Sequence, residues 1–384
     1  MKLAFQLAYR NLVGAGLRTW LNVIVLSFAF VLIVLINGIL EGWNHQAKTD
    51  TIAWEIGGGH LRFNEYDPYD AFTVLDGHGA LPEEKQAGLT PVLLRQATIY
   101  PDGRMLSAML KGIDAKQSVI NIPTKLLLES DAALPALIGK RMAETSGLAM
   151  GDEVLMRWRD KNGTYDAANI TIVGIFDCNV SMVDNGQIWM NIDKVWEITQ
   201  MQDEATFYIA DQGKEVSAEG WTFFSQATLL KDLTDMIETK KYSSSIMYGM
   251  LLLIALLAIF DTQVLSIFRR QREIGTYIAL GMTRARVVVL FTFEGTMYSI
   301  LATIVGSLYG VPIFIYMSKT GMGMCEASQN MGLAISERIY PVYSIGMILG
   351  SILLVVISAT IVSFLPSRKI AKMDPVDALK GKMQ

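Results

Sequence analysis

Apolar and polar positions fall along this chain in long blocks. From Thr19 to Leu40 there are 22 residues without one Asp, Glu, Lys or Arg. As helix that is roughly 33 Å, enough to cross a bilayer. Between Lys241 and Arg269 the only charge is Asp261, between Arg286 and Lys319 only Glu294, and between Arg338 and Arg368 there is none. The blocks predict four transmembrane helices over 19–41, 243–268, 287–318 and 341–366. The first is longer than the ~7–15 apolar residues of a signal-peptide core and no small-residue cleavage site follows it, so it reads as an uncleaved span.

The polar block 42–242 is patterned differently. "TPVLLRQATIY" and "RMLSAMLKGID" read as strands separated by the turn signal "PDG". A helix is expected to start at Asp131, followed by a glycine-bounded loop and a strand. "ANITIVGIFD", "GQIWMNID" and "EATFYIA" read as further strands and "KVWEITQM" as a short helix. From "TLLKDLTDMIETKKYSSS" a helix runs straight into the second span. The sequence thus predicts a membrane protein with four transmembrane α-helices, one plus three, and a large α+β extracytoplasmic domain between helices 1 and 2. The short segments are an interfacial helix over 1–18, a loop over 269–286, a loop over 319–340 and a tail over 367–384. In residues 1–18, Leu7, Ala8, Leu12 and Val13 share a side that Arg10 and Arg18 avoid, which suits a helix in the membrane interface.

Composition and charge add the orientation. The 384 residues are 51% hydrophobic and 18% charged, the balance of a membrane protein with a large polar part. Residues 1–18 carry a net charge of +3, residues 269–286 carry +4 and residues 367–384 carry +3, against −12 for 41–242. Basic short segments face the cytoplasm, so both termini and the 269–286 loop are placed there and the acidic block outside.

The chemistry of catalysis is thin. There is no G-x-x-x-x-G-K-[ST] loop, so ATP binding by this chain is not expected. "GGGH" at Gly57–His60 precedes a strand-like segment rather than a helix, which argues against a phosphate cradle. His45, His60 and His78 lack metal-ligand spacing, and the serines lack a nucleophile motif. Cys178 and Cys325 lie in different extracytoplasmic segments and are expected as two free thiols. The intramembrane acids say more. Asp261 and Glu294 are costly at bilayer depth, and either sit near the interface, hydrated or paired with Arg269–Arg272, or fix helices at a subunit interface. Gly306-x-x-x-Gly310 and Gly346-x-x-x-Gly350 are candidate helix-packing pairs.

The loop "RRQREIGTYIALGMTRARV" has an unexpected apolar face. Ile274, Tyr277, Ile278 and Gly281 fall at i, i+3, i+4 and i+7, one side of a helix. Something must cover that face; alternatively, the loop is a basic amphipathic helix resting on lipid headgroups. The residues Arg270, Glu273, Ile274, Gly275, Ala279, Leu280, Gly281 and then Glu294 resemble the cytoplasmic loop of FtsX-like ABC permeases, which include MacB-like exporters and lipoprotein-release permeases. The C-terminal Pro366, Arg368, Pro375, Ala378 and Leu379 are similar to that family's closing pattern. "AYRNL" with Arg18, and "GDEVLM" with "ITIVGIFD", fit as well. Asp261 departs from it, standing where the family usually has Asn.

The resemblance implies a division of labour. The loop is expected to be a coupling helix docked on a separate ATPase subunit, with Ile274, Tyr277, Ile278 and Leu280 as buried anchor and Arg270, Arg272 and Glu273 as polar rim. Gly281 would end that helix and Thr283 cap the next. ATP and Mg would be bound by the ATPase, and no cofactor, metal or catalytic residue is expected on this chain. The partners implied are that cytoplasmic ATPase, a second permease copy or a paralogue, membrane lipids, and no nucleic acid. "LTPVLLRQATIYPDGRMLSAMLKGID" looks like the lipoprotein-release branch, implying a lipoprotein substrate in the bacterial inner membrane and a periplasmic carrier. Alternatives are MacB-like export of drugs, peptides or toxins, a non-transporting regulator of cell-wall hydrolases, and a membrane receptor without an ATPase.

Overall fold

The computed structural model describes residues 17–323 and 338–369. Residues 1–16 of the expected interfacial helix, Cys325, and Pro375, Ala378 and Leu379 of the tail lie outside the described residues. The first apolar block lies in helix α1 (Leu17–Thr51), which ends in a π-helical turn over Ile52–Ile56. The glycines of "GGGH" serve this exit: Gly57 at φ 59° and Gly59 at φ 142° turn the chain from helix into strand β1 (Gly59–Phe63). Strands β2 (Leu89–Ile99) and β3 (Leu106–Ile113) pair antiparallel around a 3-10 turn at Pro101–Gly103.

The helix expected from Asp131 is not there. That segment enters strand β4 (Pro135–Gly139), and helix α2 covers only Lys140–Ser146. All five residues of β4 are buried. A strand covered on both faces reads as a continuous apolar run, which periodicity cannot tell from a buried helix. Strands β5 (Glu153–Arg159), β6 (Tyr165–Phe176) and β7 (Gln187–Asn191) follow, then helix α3 (Ile192–Thr199), whose first turn receives the Asn191 side chain as cap. Strands β8 (Phe207–Ala210) and β9 (Trp221–Ser225) complete the set. Helix α4 (Lys231–Arg269) carries the second apolar block, helix α5 covers Gln271–Ala279, and α6 (Arg284–Thr320) and α7 (Ile345–Ser367) carry the last two.

The chain divides into two units: one of residues up to Gly42, Ile237–Met322 and from Tyr340, the other of Trp43–Met236 and Gly323–Ile339. In the second, nine strands form one sheet in the order β9-β1-β8-β2-β3-β7-β4-β6-β5. Strand β5 also pairs with β2, Ala97 opposite Trp158 and Ile99 opposite Met156. The six strands β2, β3, β7, β4, β6 and β5 therefore close into a barrel, which leaves them no free edge to aggregate. Leu93, Ile99, Leu110, Ile138, Ile172 and Ile188 belong to one buried cluster of this barrel. Val92, Leu94, Ile113, Phe176, Trp189 and Phe207 build a second core with residues of neighbouring loops.

In the first unit the four long helices are each apolar enough to cross a membrane. Their common core holds Val23, Leu26, Phe30, Ile259, Tyr298 and Val355. Small residues set the closest approaches. A side chain at Gly306 would meet Phe30 at 2.9 Å, and one at Gly310 would meet Val31 at 2.9 Å, so this pair packs against α1. Among the described residues Gly346 and Gly350 have nothing within 4 Å of an added side chain, so the packing expected there is not formed between these helices. Another pair does that work. A side chain at Gly38 would strike the Tyr343 ring at 2.2 Å and one at Gly42 the Tyr340 carbonyl oxygen at 2.1 Å.

Candidate functional site

The loop between α4 and α6 is built around one short helix. Its end is set by backbone geometry: Gly281 sits at φ 92°, the Met282 amide donates to the Tyr277 carbonyl at 3.0 Å and the Gly281 amide to that of Ile278. This glycine-terminated pattern lets the chain reverse into α6. Thr283 takes the expected position before α6, but its hydroxyl makes no capping bond.

The apolar face of α5 turns inward. Ile274 is fully buried and clusters with Ile267 of α4 and with Val287, Val288 and Phe291 of α6, while Tyr277, Ile278 and Met282 pack partly against them. This corrects the expected anchor: the face is covered by the ends of the chain's own apolar helices. Burying it there removes apolar area from water without any partner, which a short isolated helix needs in order to stay folded. Leu280 is different, with 81% of its surface exposed. Arg272, Glu273, Thr276 and Gly281 are also exposed.

Arg270 is the polar centre of the site. Its Nε donates to Glu273 Oε2 at 2.7 Å, and its Nη1 reaches both oxygens of Glu294, at 3.3 and 3.0 Å. The guanidinium also lies 5.0 Å above the Phe291 ring. Burial alone would lower its pKa; the hydrogen bond to Glu273 and the charge of Glu294 more than offset this and hold it raised. Glu294 is buried, and the pair ties the start of α5 to α6 through charge-assisted bonds. Arg270, expected on the docking rim, is thus only half-buried rim and mainly an internal clamp.

Asp261 is exposed on α4, and among the described residues it has no hydrogen-bond or ion-pair partner. The buried polar groups of α4 are its neighbours Thr262 and Gln263. Asn22 of α1 donates to Thr262 Oγ1 at 2.5 Å. Gly295 lies so close to α7 that a side chain there would meet Ser363 Oγ at 2.1 Å and Gln263 Nε2 at 2.9 Å. The spacing Leu252, Ala255, Ile259, Thr262 and Gln263, Ile267 follows the buried stripe of α4, so the helical period, not the charge, was the signal for these residues.

Residues 245–375 match the family described as FtsX-like permease C-terminal, a stretch that includes α5, Arg270 and Glu294. This C-terminal third of the chain carries an FtsX-like permease domain. The permease is 22% identical over 330 residues to the lipoprotein-releasing system transmembrane protein LolC of Xylella fastidiosa, covering 78% of this chain and 79% of that one. It is 23% identical over 161 residues to the macrolide export ATP-binding/permease protein MacB of Nitrobacter winogradskyi, covering 42% of this chain and 22% of that one. A crystal structure of the periplasmic region of MacB from Actinobacillus actinomycetemcomitans is 10% identical, covers 47% of the permease and 94% of that chain, and has a TM-score of 0.30. Among the permease's described residues no three His, Cys, Asp or Glu side chains group as a metal site. Cys178 is a buried free thiol, pushed up to about 12 by burial.

Proposed function

We propose that the permease is the non-catalytic transmembrane subunit of an ABC system that takes lipoproteins out of the bacterial inner membrane. A separate cytoplasmic ATPase, with its own ATP and Mg, binds the exposed side of α5, through Arg272, Glu273, Thr276 and Leu280. Its motion reaches α4 and α6 through Ile274 and the Arg270–Glu294 clamp. Helices α1 and α4 each continue without a break from an apolar block into polar sequence that belongs to the barrel-containing unit, which supports transmission by these two helices. That unit is periplasmic in this reading, and both termini are cytoplasmic. An exposed carboxylate within a membrane helix is costly unless it is covered, paired or hydrated. Asp261, with Gly346 and Gly350 open, therefore supports a second copy or a paralogue covering these helices.

The observation that carries the lipoprotein reading is the extent of the likeness: the match to LolC runs over 78% of the chain, whereas that to MacB stops at 42%. The test is reconstitution in vesicles with the ATPase and any paralogous permease that co-purify. ATP-dependent transfer of a triacylated lipoprotein to a soluble acceptor is expected. ATP turnover that responds to macrolides and not to lipoproteins would replace this reading with MacB-like export.

A further inference from the structure

A cleft of about 700 Å³ opens on the outside of the barrel, above strands β2, β3 and β5. Its floor is set by register. Ser107 of β3 lies opposite Thr98 of β2, and Thr98 lies opposite Arg157 of β5. Directly opposed residues share a face of the sheet. Two hydroxyls and one guanidinium therefore form a row across three strands. Gln96 and Arg159 lie two residues along β2 and β5 on the same face, and Arg159 is paired with Tyr165. The Tyr165 ring lies 4.9 Å from the Arg157 guanidinium and 5.9 Å from that of Arg159, which keeps both arginines over the floor.

Three features distinguish this cleft from an ordinary solvated strand face. No Asp or Glu lines it. Among the described residues the Arg157 guanidinium has no carboxylate or hydrogen-bond partner, and the Thr98 and Ser107 hydroxyls have none either. The wall is fastened to the floor: Gln96 Nε2 donates to the Ala71 carbonyl at 2.9 Å, and Arg95 Nη1 to those of Val74 and Leu75 at 3.0 and 2.9 Å. On that wall Phe72 stands 81% exposed beside Leu75. Arg159 Nε donates to the Gly163 carbonyl at 2.8 Å, which fixes that side chain and leaves its terminal nitrogens for the cleft. An exposed aromatic held by a fixed turn, next to the unpaired Arg157 guanidinium, matches an amphiphilic anion better than it matches water.

We infer that this cleft binds a phosphate oxyanion, held by Arg157, Arg159, Thr98 and Ser107, with any attached apolar group lying against Phe72. Donors from three strands suit a tetrahedral anion with several terminal oxygens, and guanidinium groups bind phosphate through paired N–H bonds. The phosphate can belong to a lipid headgroup or be free in solution. The inference stands apart from what the permease transports.

The full chain in an uncharged maltoside detergent is titrated calorimetrically with two probes, inorganic phosphate and dihexanoyl phosphatidylglycerol. Saturable binding is expected, weakened at least roughly tenfold in Arg157→Gln and in Ser107→Asp, both at exposed positions that leave the barrel core intact. Tighter binding of the lipid than of phosphate, with the difference lost in Phe72→Ser, assigns the site to a headgroup. Equal binding assigns it to free phosphate. Absence of saturable binding of both probes, or unchanged affinity in both charge variants, overturns the inference.

Discussion

At the scale of single residues, Ile274 and Leu280 separate two roles that the sequence pattern merges. Both are apolar members of the same short loop, yet one is fully buried and the other 81% exposed. Ile274→Ala should destabilise the chain by about 2–4 kcal/mol, since it empties a site enclosed by α4 and α6. Leu280→Ala should leave thermal stability in detergent within about 0.5 kcal/mol. Arg270 and Glu294 should behave as a pair. Breaking a buried ion pair by removing one partner costs about 3–5 kcal/mol, and here less because Arg270 keeps Glu273. Glu294→Gln and Arg270→Met should each lower the unfolding temperature, and the double variant should lower it by less than the sum. A strictly additive double variant would contradict the clamp. His60 carries a pH signature. It is buried, stacks on Phe207, and burial, with Arg62 nearby, holds its pKa down at about 3 against the ordinary 6.5. The fold keeps the ring neutral while the unfolded chain takes up a proton, so the stability it supports is complete above pH 6.5 and is lost as pH falls toward 3. His60→Phe keeps the stack and should flatten the fall in urea midpoint, followed by tryptophan fluorescence, across that window.

At the scale of elements, glycine positions decide which helices touch. A methyl at Gly295 would overlap Ser363 of α7, so Gly295→Ala should push α6 from α7 and cost roughly 1–3 kcal/mol. Gly346→Ala meets open space in one chain and should be silent in the monomer, while weakening any dimer that uses that face, as read by cross-linking in membranes. The pattern of blocks in the sequence carried most of this level. The four apolar helices, the strand pair around Pro101–Gly103, and the helix that runs from Lys231 through to Arg269 were legible because length and period are local properties. β4 was not, because burial on both faces erases the alternation that marks a strand. The partner of the α5 apolar face was not legible either. A helix face announces that it will be covered; which of two surfaces covers it depends on a hairpin of the chain, set here by the turn at Gly281 and the Arg270–Glu294 pair. Asp261 stands out in the sequence by its charge, although the burial stripe of α4 passes through Thr262 and Gln263 instead.

At the scale of the whole molecule, the proposed function turns on the exposed side of α5, the surface proposed to meet an ATPase. Helices α1 and α4 each join the apolar blocks to the barrel-containing unit in sequence, and α5 follows α4 at once, so a pull or push on α5 has a short covalent route to that unit through α4. The decisive measurement is co-purification of the full chain from its own membranes, compared with Arg272→Glu plus Leu280→Asp, with bound proteins identified by mass spectrometry. Both substitutions fall on exposed positions, so the variant should keep the thermal stability of the parent. An ABC ATPase is expected to accompany the parent chain and to be lost from the variant, while a second permease copy or paralogue is retained by both. An ATPase that stays with the double variant, or none with either chain, would contradict the proposed function.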